Sequence, residues 1–203
     1  MLISMLTLML LTVQVTESLQ AVFDRAIGNF LAGRIEESLV GFDEVARRSP
    51  NTAPQLWQRG IALYYTGRYQ DCREQFESHR TVNPADVENA VWHFICVARL
   101  ESPQAAREAL LPVGLDRRSP MPEVYEMFRG TMTPDEVLDA ATEDSNSQFF
   151  VHLYLGLYFE AFGDEVRALD HIGIAADERF ERAGGGYMPV VARIHLRMLE
   201  AGQ

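Results

Sequence analysis

Three kinds of residue recur at one interval. Gly33 and Gly67, Phe42 and Phe76, and Pro50 and Pro84 each stand 34 positions apart. A fixed period of this length marks stacked helical pairs: one unit holds two helices and their turns, and it buries its apolar face only against a neighbour. The residues between the marks agree. In LQAVFDRAIGNFLA, Val22, Phe23, Ala26, Ile27, Phe30 and Leu31 follow helical spacing. Gly33 then reads as a C-cap, because glycine reaches left-handed dihedrals at little cost. IEESLVGFDEVARR is apolar at Leu39, Phe42 and Val45. Its first turn holds Glu36 and Glu37 and its last Arg47 and Arg48, which complements the helix dipole. Ala53 to Pro84 repeats the plan. Gly60 allows its two helices to approach, Ile61, Tyr64 and Phe76 fill the layer, and Asn83-Pro84 ends it.

Beyond Asp86 the period weakens. DVENAVWHFICVARL predicts one amphipathic helix capped by Asn83 or Asp86, and Pro103 opens a short second one. Pro112 to Pro122 reads as a loop, followed by the short helices PEVYEMFRG and PDEVLDAAT. Thr133 and Glu136 have the spacing of a capping box. Glu143 to Ser147 reads as a polar connector, and a fourth unit begins near Phe149, where Gly156 and Gly163 echo Gly60 and Gly67. After Gly184-Gly185-Gly186, YMPVVARIHLRML reads as a capping helix, since a terminal unit lacks one neighbour. The expected fold is all-α: a right-handed solenoid of antiparallel helix pairs in one domain, residues 19–203. Clear repeats are expected at 19–52, 53–86 and 149–182, a degenerate middle at 87–148, and a cap at 186–201.

These marks resemble the tetratricopeptide repeat (TPR) family. RGIALYYTGR (Arg59 to Arg68) is similar to the corresponding repeat of bacterial TPR lipoproteins of the NlpI type, and the order of elements from 19 to 200 follows them. Ser119 to Leu138 resembles a segment found in TPR proteins of plant plastids and bacteria. The resemblance implies a non-enzymatic scaffold or adaptor that binds protein, in the cell envelope, and that forms a homodimer. This chain departs from the lipoproteins in having no lipid-attachment cysteine.

Composition excludes several classes. The net charge is -11, whereas phosphate binding needs a basic footprint, so nucleic acid is not an expected partner. There is no lysine; every cationic side chain is arginine. Leu2 to Val15 is uncharged, too short to span a bilayer and of the length of a signal-peptide core. Residues 1–18 therefore read as a signal for export to a periplasm-like compartment, or as an apolar N-terminal cap on a cytoplasmic protein. The two cysteines, Cys72 and Cys96, have no zinc or CxxC spacing, and Cys72 stands where a repeat packs a small residue. Either redox compartment suits them.

No chemistry-bearing motif stands out. The five histidines, His79, His93, His152, His171 and His195, form no metal-ligand spacing. The triple glycine lacks the lysine and the strand of a phosphate loop. No metal, cofactor or catalytic residue is expected. The repeat register instead projects a concave face: Phe23, Ile27 and Phe30 from the first unit, Trp57, Ile61, Tyr64 and Tyr65 from the second, Val91, Ile95 and Arg99 from the third. Aromatic side chains are costly to leave in water, at roughly 1.5–3 kcal/mol for each large apolar group. A partner, a second copy or the chain's own terminus must cover them. Two other surfaces remain in play. One is a basic cluster of Arg179, Arg182, Arg193 and Arg197, which receives an acidic segment or pairs with Glu178 and Glu181. The alternative function is a small-ligand binder or enzyme with its pocket in the irregular 112–147 segment.

Overall fold

The computed structural model describes residues 17–202. Among them the chain is all-helical, with no strand. The helices are α1 (Leu19–Leu31), α2 (Ile35–Arg48), α3 (Trp57–Tyr65), α4 (Tyr69–His79), α5 (Val87–Leu100), α6 (Pro103–Glu108), α7 (Met121–Arg129), α8 (Pro134–Ala140), α9 (Ser145–Ala161), α10 (Glu165–Ala175) and α11 (Tyr187–Ala201). No described helix is long and apolar enough to cross a membrane. The reading of residues 1–18 as a signal or cap falls almost entirely outside the described residues.

The periodic marks are turns and contacts. Gly33, Gly67 and Gly163 have φ of 75°, 72° and 78° and end α1, α3 and α9. Each turn closes in the same way. The glycine N–H donates three residues back, and the next N–H five residues back, as in Arg34 to Asn29 (2.9 Å), Arg68 to Leu63 (3.0 Å) and Asp164 to Phe159 (2.9 Å). This is the Schellman arrangement, which satisfies carbonyls the helix end leaves without partners. The α1–α2, α3–α4 and α9–α10 pairs pack against each other directly across these turns.

Gly60 and Gly156 mark the helix crossings. A Cβ on Gly60 would lie 2.6 Å from the Phe76 ring, and one on Gly156 would lie 2.5 Å from Ile172 Cγ1 and 3.1 Å from its backbone nitrogen. Gly156→Ala is therefore expected to force α9 from α10 and cost about 2 kcal/mol. Gly28, inside α1 with nothing near its Cβ position, gives the opposite sign: Gly28→Ala should gain about 0.5–1 kcal/mol. Urea unfolding of both variants checks the pair.

The middle departs from simple stacking. Helix α5 packs against α3, α4, α6, α7 and α9. This explains why ten of its residues are buried, Trp92, His93 and Phe94 among them; a helix apolar on every side belongs inside. The short α6, α7 and α8 form an excursion, after which α9 returns to α5. The Thr133–Glu136 capping box is present, and Asp86 rather than Asn83 caps α5. One boundary differs from expectation. The predicted polar connector at 143–147 is already helical from Ser145, because Asp144 Oδ1 accepts from the backbone N–H groups of Asn146 and Ser147, both at 3.0 Å.

Arg118 ties the excursion back. It donates to Asp86 (2.7 Å), Glu88 (2.5 Å) and Asp116 (2.6 Å), while Tyr154 of α9 donates to Glu88 at 2.5 Å. Cys72 of α4 and Cys96 of α5, both fully buried, are joined as a disulfide with their Cα atoms 6.0 Å apart. Their separation in sequence concealed that pairing; the α4–α5 packing creates it. One hydrophobic cluster runs from Ala26 to Ile194, with a small satellite of Val22, Val45 and Leu56.

Candidate functional site: a helix seated on the aromatic face

The face projected from the repeat register is occupied by the chain's own last helix. Tyr187 begins α11, stacks on Phe30 of α1 at 4.8 Å between ring centroids, and meets Trp57 of α3 edge-on at 5.1 Å. Two turns on, His195 stacks near Tyr64 at 6.3 Å. The Tyr65 hydroxyl donates to the Val191 carbonyl (3.3 Å) or to His195 Nδ1 (3.2 Å). Tyr187, Val191 and His195 are four residues apart in turn, so one stripe of α11 faces α1 and α3. The sequence predicted a cap at the end of the stack. In the structure α11 packs on α10 and also covers the aromatic face.

A buried polar cluster holds this helix. Glu160 of α9 accepts from Tyr64 Oη at 3.1 Å and from Arg99 Nη1 at 3.3 Å. Its Oε2 lies 3.0 Å from His195 Nε2; the approach is close enough for an ion pair but off the line of a hydrogen bond. Burial works against the Glu160 charge. His195, Arg99 and Tyr64 outweigh it and hold the carboxyl below its usual range. Burial and the nearby Glu160 charge push Tyr64 and Tyr65 well above the usual phenol range, so both remain donors.

The ten projected residues separate by location. Phe30, Trp57, Tyr64, Tyr65 and Arg99 gather around α11 and Glu160. Arg99 also lies over the Tyr69 ring at 5.3 Å. Ile61, Val91 and Ile95 are buried in the main core. Phe23 and Ile27 are half-buried, and Phe23 turns to Phe42 of α2 at 5.8 Å. Sequence reasoning missed Glu160, Tyr187 and His195. The available signal was the four-residue spacing of Tyr187, Val191 and His195 in the final helix.

Beside Met188, a cavity of about 200 Å³ lies among α3, α4, α5 and α11, with Trp57, Phe76 and Trp92 on its walls. The predicted pocket in the 112–147 region corresponds to a surface hollow of about 420 Å³ lined by Pro112, Leu115 and Tyr125, among others. Arg179 and Arg182 of the basic cluster lie within 4.0 Å of Asp177 and 3.7 Å of Glu181 respectively.

His152 and His171 face each other across α9 and α10, Nδ1 to Nδ1 at 2.9 Å. One ring must donate and the other accept, so the contact needs a neutral acceptor. Burial, followed by the His171 and Arg179 charges, lowers His152 to about 4. Between pH about 6.5 and 4 the unfolded chain binds the extra proton, so this contribution is complete above pH 6.5 and is lost as pH falls through 4. His152→Asn should flatten the decline of urea stability across that window relative to the parent chain.

No group of three or more His, Cys, Asp or Glu among the described residues could hold a metal ion. No protein-family model matches the chain.

Proposed function

We propose that the chain is a non-enzymatic TPR-like scaffold that binds protein through the part of the α1–α3 face that α11 leaves half-exposed, at Phe23, Ile27 and Trp57. The observation that carries this reading is α11 itself. An amphipathic helix sits on that face with anchors at Tyr187, Val191 and His195, which is the helix-in-groove mode of recognition. The repeated Schellman turns and glycine crossings support a right-handed solenoid of TPR type, and the order of elements supports the likeness to NlpI-type lipoproteins. The Cys72–Cys96 bond favours an oxidising compartment and so supports export. In the rival 112–147 segment the polar groups are committed to structure. Asp116 accepts from the Val87 N–H and from Arg118, and Tyr125 donates to the Leu111 carbonyl. That favours the scaffold over a pocket enzyme.

Quantitative affinity purification from the native cell tests the reading, with full-length chain beside Phe23→Ala and Trp57→Ala. Both side chains are half-buried, so each variant is checked for unchanged helicity first. A protein recovered with the parent and lost with both variants is the expected result. Equal recovery with all three would contradict it.

A further inference from the structure

The cavity beside α11 has an uneven chemistry. Trp57, Phe76 and Trp92 supply aromatic walls, and Met188 of α11 contributes a thioether. The polar groups around it are mostly acceptors. Asp86 and Glu88 line one side, their oxygens already accepting from Arg118, Asn83, Tyr154 and the Glu88 N–H. Asn89 carries a buried Oδ1 and Trp92 a buried Nε1–H, each with no hydrogen-bond partner among the described residues. A half-turn of the Asn89 amide presents either atom to the cavity. His79 also lines the cavity; its Nδ1 lies 2.8 Å from the Pro54 carbonyl, which can only accept, so Nδ1 holds a proton.

Charge points the same way. Asp86, Glu88 and Asp116 all rely on the single guanidinium of Arg118. Burial, and after it the neighbouring Asp86 charge, raises Glu88 above the usual carboxylate range even with Arg118 at 2.5 Å. Aromatic faces attract cations; three carboxylates on one guanidinium leave the rim net negative, and the unpaired Asn89 Oδ1 can accept from a cationic head. A guanidinium offers five donors in one plane. At about 200 Å³ the cavity is roomy enough for one side chain.

We propose that this cavity is a receptor for an alkylguanidinium, namely an arginine side chain presented by the protein partner. The assignment rests on the protein-binding reading above and names the partner's anchor. The net charge of -11 steers a basic segment toward it.

The chain carries its own reporter, because Trp57 and Trp92 are its only two tryptophans and both line the cavity. Tryptophan fluorescence is titrated with N-acetyl-arginine amide, N-acetyl-lysine amide and N-acetyl-norleucine amide. Asp86→Asn is run in parallel, since asparagine keeps the cap of α5. The expected result is a saturable change with the arginine amide, a weaker one with lysine, none with norleucine, and about tenfold weaker arginine binding in Asp86→Asn. No saturable change with arginine, or an equal response to norleucine or lysine, would overturn the assignment. These probes are small molecules, so their failure removes the arginine receptor and leaves the capture experiment to decide the scaffold reading by itself.

Discussion

Glu160→Ala is expected to lower the unfolding free energy by about 3 kcal/mol and to loosen α11 before the rest of the chain. The loss exceeds that of a surface ion pair because Glu160 is nearly buried and His195 fully so. Removing the carboxylate leaves the Tyr64 hydroxyl without its acceptor in a dry site and takes the counter-charge from Arg99, and breaking a buried pair from one side costs about 3–5 kcal/mol. The lower end applies here because Arg99 is half in water. Glu160→Gln keeps an acceptor for Tyr64 and should cost about half as much. Hydrogen exchange separates this from general destabilisation. Amides of α11 should lose protection in Glu160→Ala while those of α2 and α4 keep it; uniform loss would show that Glu160 supports the fold without holding the helix.

Tyr187 gives the second large effect, and its two variants have opposite signs. Tyr187→Ala removes the ring stacked on Phe30 and set edge-on to Trp57, so a loss of about 3–5 kcal/mol is expected for an aromatic truncated to alanine. Tyr187→Phe keeps the ring and deletes a buried hydroxyl that has no partner among the described residues. Leaving such a group unsatisfied costs about 1–3 kcal/mol, so the phenylalanine variant should be as stable as the parent or more so. The same burial pushes the Tyr187 phenol far above its usual range. Urea unfolding followed by circular dichroism gives both values. A phenylalanine variant that loses as much as the alanine variant would mean that the hydroxyl is bonded and α11 lies differently.

These effects show what the sequence made legible. The 34-residue interval located the turns, because glycine at positive φ and glycine under a facing side chain leave local marks at Gly33, Gly67 and Gly60. Helices α1 to α5 follow from periodicity, and Thr133 with Glu136 marked a cap that is present. Long-range facts left no such marks. Cys72 and Cys96 come together only because α4 packs on α5, and Arg118 gathers acids that stand 30 or so positions away. The aromatic face was legible as a demand for cover. Its cover was not, since His195 reads as an ordinary polar residue until Glu160 and Tyr65 are placed beside it. The start of α9 was missed because Asp144 acts as a cap in a stretch whose composition resembles a linker.

The central claim is that α11 covers the face of α1 and α3. Nuclear Overhauser contacts between aromatic rings in the full-length chain test it most directly. The structure predicts cross-peaks from the Tyr187 ring to both the Phe30 ring and the Trp57 indole, whose centroids lie 4.8 and 5.1 Å away. Absence of both, with the Phe23–Phe42 contact at 5.8 Å still visible as an internal control, would contradict it.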